Sequence, residues 1–160
     1  MIKVCLADYH NPQHCLVIRK LIDQYAQDDM GQGAPLRQDV YENLLENLAI
    51  RSWVHIFLAV AGKEIVGIAV CIEGFSTFNG AALLNIHDVY VVPEFRRQGI
   101  ARTLFSFIED HAREQKFCKL TLEVLEGNIP AQKSYRSFGF QPYTINEDGG
   151  VAQFWHKYLV

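Results

Sequence analysis

Apolar residues recur along this chain with two different periods, and the switches between them lay out an α/β order. Residues 2–7 alternate well enough for an opening strand. After Pro12 the apolar positions Val17, Ile18, Leu21, Ile22 and Tyr25 recur at three and four, which is the helical period. Residues 28–35 hold Gly31, Gly33 and Pro35 and read as a loop, followed by a second helix over 37–48. Strands are expected over 54–61 and 65–72, joined as a hairpin through Gly62, Lys63 and Glu64, with a polar and aromatic loop over 74–80. A long strand over 83–92 ends at Pro93. From Gly99 a helix runs to about residue 115 with Ile100, Leu104, Phe107, Ile108 and His111 on one face. Residues 120–125 form a strand and 129–137 a short helix. Residues 140–144 and 151–159 are closing strands about a turn at Glu147, Asp148, Gly149 and Gly150.

The expected architecture is α/β (α+β). A mixed, mostly antiparallel sheet of about seven strands is flanked by about four helices, with the strands of the 83–125 strand–helix–strand unit forming a central parallel pair. At 160 residues one domain over 1–160 is expected, and 21% charged residues exclude a disordered chain. A net charge of −3 argues against nucleic acid as the main partner, because neutralising phosphates takes a basic surface. Cys5, Cys15, Cys71 and Cys118 form no C-x-x-C pair, so neither a metal site nor a disulfide framework is expected. Residues 1–8 lack the pattern of a secretory leader, and no apolar run reaches the roughly 18 residues of a membrane span. The expectation is a cytoplasmic protein with no membrane partner.

The most informative stretch is Pro93-Glu94-Phe95-Arg96-Arg97-Gln98-Gly99-Ile100-Ala101-Arg102, between a strand and an amphipathic helix. A tight turn there leaves the first N–H groups of the helix unpaired and converging, and the helix dipole adds to their pull on an anion such as pyrophosphate. Gly99 admits close backbone approach, Ala101 is small, and Arg96, Arg97 and Arg102 add positive charge. The stretch contains neither G-x-x-x-x-G-K-[ST] nor a complete G-x-G-x-x-G, which excludes a P-loop and a dinucleotide fingerprint. The competing explanation is a basic helix entry with no ligand.

A second group stands as N-x-x-A-x-x-x-Y-x-x-x-G-F, from Asn128 through Ala131, Tyr135 and Gly139 to Phe140. Asn128 occupies a helix N-cap position, and Tyr135 follows about two turns later on the same face. Tyr135 can then reach a ligand lying along the helix, or else it serves only core packing.

With these two groups in order and spacing, the chain resembles the GNAT superfamily of N-acetyltransferases, in a bacterial branch of unknown substrate. Ala101 departs from the glycine often found there, a common variant. The resemblance implies acetyl-CoA as co-substrate, no metal, and two splayed parallel strands that admit the pantetheine arm. It implies that Val89, Tyr90 and Val91 bond that arm through backbone. Arg96, Arg97, Gln98, Gly99, Ile100, Ala101 and Arg102 would hold the pyrophosphate. Asn128 would also bond the arm, and Tyr135 would protonate the departing thiolate.

Attack on a thioester needs a neutral amine, whereas an alkylamine with a lysine-like pKa of about 10.4 is mostly protonated at neutral pH. Related enzymes often draw a base from the strand before the phosphate turn, where His87 and Asp88 stand here. Strict alternation would point them to opposite faces. His87 is the favoured base, with Asp88 and Glu123 behind it, against a plain packing role for the histidine. Asp28, Asp29 and Glu73 suggest a cation-attracting mouth, against ordinary solvated acids. The expected acceptor is a small-molecule amine or a peptide amine, and family habit alone suggests a homodimer. The rival functions are a non-catalytic acyl-CoA-binding sensor and an inert adaptor.

Overall fold

The computed structural model describes residues 2–146, 148 and 150–159. They form two compact units, Met1–Leu122 and Glu123–Val160.

The first unit is built on a five-stranded sheet ordered β1 (Ile2–Leu6), β2 (Val54–Ala61), β3 (Glu64–Ser76), β4 (Ala81–Val91) and β5 (Leu120–Leu122). Neighbours from β1 to β4 are antiparallel, whereas β4 and β5 are parallel. The helix α1 (Pro12–Gln27) begins where Asn11 Oδ1 accepts the Gln13 N–H at 2.9 Å, and Pro12 occupies its first turn, where a missing N–H costs nothing. A second helix, α2 (Gln38–Ala49), follows the loop, and α3 (Ile100–Glu114) crosses from β4 to β5.

Both faces of the sheet are covered, which is why β2 is apolar at almost every position rather than alternating. Ile56 and Leu58 of β2 join Ile68, Val70 and Tyr90 against Ile18 and Leu21 of α1. Phe57, between them, faces the other way, where its ring meets Phe107 and His111 of α3. Ile100, Leu104, Phe105, Ile108 and Ala112 are the buried stripe of α3, each large one contributing about 1.5–3 kcal/mol by its burial. Phe105 takes a core place expected of Phe107, which is partly exposed. The β3–β4 hairpin is longer than its sequence suggests. β3 runs through Gly74 and Phe75 to Ser76, so that the turn shrinks to residues 77–80.

In the second unit, Ile129–Ser137 is helical as expected and forms α4. Residues 140–144 and 151–159 are not strands, and residues 123–125 do not extend β5. Among the described residues the sheet therefore has five strands rather than about seven, and the parallel pair lies at its edge rather than its centre. A strand forms only where a neighbour completes its ladder. Ala152 N–H does reach Tyr143 O at 2.9 Å, yet Phe154, Trp155 and Tyr158 stay exposed, so the apolar pattern that suggested a strand covers no core. Of the expected turn at 147–150, Glu147 and Gly149 lie outside the described residues.

Candidate active site

The end of β4 supplies the first part of the site. Its parallel ladder with β5 runs Leu84–Leu120, Asn85–Thr121 and Ile86–Leu122, tied by Asn85 Nδ2 donating to Thr121 Oγ1 at 3.1 Å. Pairing stops there, although β4 continues to Val91. Beyond Ile86 the edge of β4 that faces away from β3 runs on without β5 as its neighbour.

The direction of the groups on that edge follows from one bond. Val92 N–H donates to Val66 O at 2.9 Å, so the Val91 carbonyl, across the same trans peptide, points away from β3. Residues alternate along a strand, which sends the N–H and C=O of Val89 and Val91 outward and those of Tyr90 toward β3. The side chain of Tyr90 is buried against α1. Of the three backbone candidates, Val89 and Val91 are the two that present hydrogen-bonding groups on the outer edge.

His87 sits where the register breaks. Val70 pairs with Asp88 and the next residue, Cys71, pairs with Ile86, leaving His87 as an extra residue in β4. This bulge breaks the strict alternation between Ile86, which pairs with Cys71, and Asp88, which pairs with Val70. Asp88 falls on the α1 face with Val70 and Tyr90, and His87 is exposed. The charge of Asp88 reaches the α1 side: the Tyr25 phenol is raised above its ordinary pKa first by burial and then by Asp88 and Asp28.

The turn after β4 supplies the second part. Pro93 lacks an N–H and ends the strand, and Pro93–Phe95 forms a single 3-10 turn. The chain passes through left-handed geometry at Arg97 (φ 60°) and at Gly99 (φ 81°), the N-cap of α3. A residue in that conformation is strained unless it is glycine, and the space where a Cβ of Gly99 would stand is open. Thr103 N–H makes the first bond of the helical ladder, to Gly99 O at 3.0 Å. The N–H groups of Ile100, Ala101 and Arg102 therefore precede the ladder, and no side chain of the N-cap covers them. These are the features an anion cradle needs, and they fit the pyrophosphate of CoA.

The charges around this turn divide. Arg96, Arg97 and Arg102 are all exposed. Arg96 nevertheless turns back: its Nε donates to Val91 O at 2.9 Å and its Nη2 to Asp28 Oδ2 at 2.6 Å. The Arg96 hydrogen bond is the main cause that holds the Asp28 carboxyl below its usual range. Asp28 is thus committed to Arg96, and Glu73 Oε2 lies 3.6 Å from His55 Nε2, so two of the three acids suggested as a cation-attracting mouth have basic partners.

Within the second unit, Asn128 caps α4: its Oδ1 accepts the Ala131 N–H at 3.2 Å, which leaves its Nδ2 as a donor. Tyr135 lies about two turns on, half-buried, with its ring edge-on to Phe140 at 6.2 Å. Phe140 N–H returns to Tyr135 O at 3.0 Å, closing the helix through Gly139 at φ 97°. The G-F of the motif is therefore the C-terminal stop of the helix that carries the tyrosine.

Two features escaped the sequence reading. One is the Asp28–Arg96 pair, whose members stand far apart in the chain and carry no local signal. The other is Gly67, buried in β3 against Ile100 of α3, where a glycine inside a strand pattern was the available hint.

This arrangement agrees with similarity across most of the chain. Residues 18–140 match the Acetyltransferase (GNAT) family, and the protein belongs to it. It is 34% identical over 112 residues to a thialysine N-ε-acetyltransferase of Caenorhabditis elegans, covering 70% of this chain and 64% of that one. The chain thus spans less than two thirds of the length of that relative, and likewise of a putative ribosomal-protein alanine N-acetyltransferase of Bacillus subtilis. The fold matches a protein of Clostridium difficile 630 described as a possible acetyltransferase, with a TM-score of 0.80 and 20% identity, over 100% of this chain and 99% of that one. It also matches an aminoglycoside N-acetyltransferase in complex with CoA, with a TM-score of 0.75 and 18% identity, over 98% of this chain and 95% of that one.

Proposed function

We propose that this protein is an acetyl-CoA-dependent N-acetyltransferase that moves the acetyl group to a primary amine by direct attack in a ternary complex. The observation that carries the reading is the start of α3, where Gly99 in left-handed geometry leaves the N–H groups of Ile100, Ala101 and Arg102 ahead of the helical ladder. In this reading the N–H groups from Arg97 to Arg102 hold the pyrophosphate, and the side chains of Arg97 and Arg102 add charge. Val89 and the N–H of Val91 offer the pantetheine arm a strand-like partner along the edge of β4 beyond its pairing with β5, the Val91 carbonyl being engaged by Arg96. Asn128 contributes its Nδ2, and Tyr135 donates a proton to the departing thiolate; both roles are assigned by the motif they share with the family.

His87 is proposed as the base that takes the proton of the incoming ammonium, directly or through one water. Its exposed position at the β4 bulge supports access to an acceptor. The names of relatives direct the choice of amine: thialysine acetyltransferases recur among them, so the side-chain amine of a lysine-like amino acid is the first acceptor to try. Aminoglycosides, peptide N-termini and simple amines complete the screen.

The test follows thiol release from acetyl-CoA with each amine, alongside calorimetry with CoA alone. Turnover with at least one amine is expected. CoA binding without turnover across the screen would favour an acyl-CoA sensor, and absence of both would overturn the reading.

A further inference from the structure

We propose that Asp28 is a positioning residue for the β4–α3 turn, acting through Arg96; the proposal rests on the reading of that turn as the CoA cradle. Asp28 ends α1, and both of its carboxylate oxygens are in use. Its Oδ1 accepts the Met30 N–H at 3.1 Å, which folds the chain leaving the helix, and its Oδ2 accepts from Arg96 Nη2 at 2.6 Å. The guanidinium spans from there to the last carbonyl of β4, with Nε on Val91 O at 2.9 Å. It lies over the Tyr90 ring, 5.5 Å from the centroid, and Tyr90 in turn packs against Tyr25 of α1 at 6.0 Å between ring centroids. Arg96 N–H also bonds Pro93 O at 3.1 Å, so one residue ties together the strand end, the 3-10 turn and the end of α1.

A guanidinium is a planar fork, and one whose edges are held by a carboxylate and a carbonyl is fixed in direction. Arg96 is therefore not the arm that reaches for phosphate. It sets where the turn begins, and Asp28 sets Arg96.

This assignment makes a prediction opposite in sign to simple electrostatics. Asp28 is a negative charge beside a site read as binding a polyanion, so by Coulomb's law alone its removal should tighten CoA binding. If Asp28 holds the turn in shape, its removal loosens CoA binding instead. Asn at this position keeps the size and the acceptor for Met30 but loses the charge-assisted bond to Arg96.

The experiment titrates CoA by calorimetry into the full chain, its Asp28→Asn and Arg96→Gln variants and the double variant, and follows hydrogen exchange of the amides of residues 93–99 in each without ligand. The expected result for Asp28→Asn is a Kd raised on the order of tenfold, with faster exchange across the turn. Asp28→Asn should add little in the Arg96→Gln background, because the two act as one unit. Tighter or unchanged CoA binding together with unchanged exchange in Asp28→Asn overturns the proposal, as does full additivity in the double variant. If the wild-type chain does not bind CoA, the functional reading fails by itself. The exchange arm then decides the tether alone: acceleration at 93–99 upholds it and unchanged exchange overturns it.

Discussion

Gly67 of β3 lies so close to Ile100, the first residue of α3, that a Cβ on Gly67 would stand 3.3 Å from Ile100 Cγ2 and equally close to Tyr90 O. The missing side chain lets the start of α3 settle onto the sheet beside the end of β4. The height of the proposed cradle above the sheet is thus set from below. Gly67→Ala should overpack this contact at a cost of about 1–3 kcal/mol, measured by urea unfolding. CoA affinity should fall in the same variant. Unchanged stability and affinity would show that Ile100 yields without moving the turn.

Gly99 poses a different problem, since a side chain there meets open space but the wrong backbone geometry. Gly99→Val should strain the left-handed N-cap by about 1–2 kcal/mol and fill the approach to the N–H groups of α3. A strong loss of CoA binding in a still-folded protein is expected. Calorimetry giving the wild-type Kd would rule out the cradle.

Tyr135 is proposed to act in chemistry rather than in affinity. Tyr135→Phe should lower kcat by roughly 10² to 10⁴ while leaving acetyl-CoA binding little changed. Turnover within a few-fold of wild type across a pH profile would reduce the residue to packing against Phe140.

The bulge in β4 separates the roles of two neighbours. His87→Ala should flatten the acidic limb of the kcat/KM profile and lower turnover, whereas Asp88→Asn, on the α1 face, should mainly lower the melting temperature. A wild-type pH profile in His87→Ala, measured with a good acceptor, would transfer the base to Glu123 or to a water chain.

Far along α3 from the cradle, a histidine ties stability to pH. The ring of His111 packs on Phe57 at 5.2 Å and on His55 at 5.5 Å, and its pKa is lowered first by burial and then by His55, with Glu114 opposing. A histidine with a depressed folded-state pKa binds fewer protons than the unfolded chain. Its contribution is therefore intact above the ordinary value near 6.5 and is lost as pH falls below it. Urea unfolding should show lower stability at pH 5 than at pH 7.5, and His111→Phe should reduce that difference. An equal pH slope in the variant would place the acid sensitivity elsewhere.

Much of the local geometry around the proposed site was legible in sequence because its signals are local. A glycine just before an amphipathic run, a proline ending a strand, and Asn128 two turns ahead of Tyr135 each report on a few neighbouring residues. α4 accordingly begins and ends where its spacing predicted. The five strands of the sheet were likewise readable, since each carries its own alternation or apolar run.

What the sequence could not determine depended on partners. Residues 140–144 and 151–159 carry strand-like composition, but a strand exists only when a neighbouring edge accepts its hydrogen bonds. The face taken by Asp88 hinged on a bulge, which is a mismatch between β3 and β4 and belongs to neither alone. Arg96 looked like one of three phosphate-seeking cations until the fold brought Asp28 to it across 68 positions of chain. Local chemistry placed the turn ahead of α3, while tertiary structure decided how far β5 follows β4 and which acid Arg96 meets. Those outcomes are set by pairings between distant segments, and no single segment encodes them.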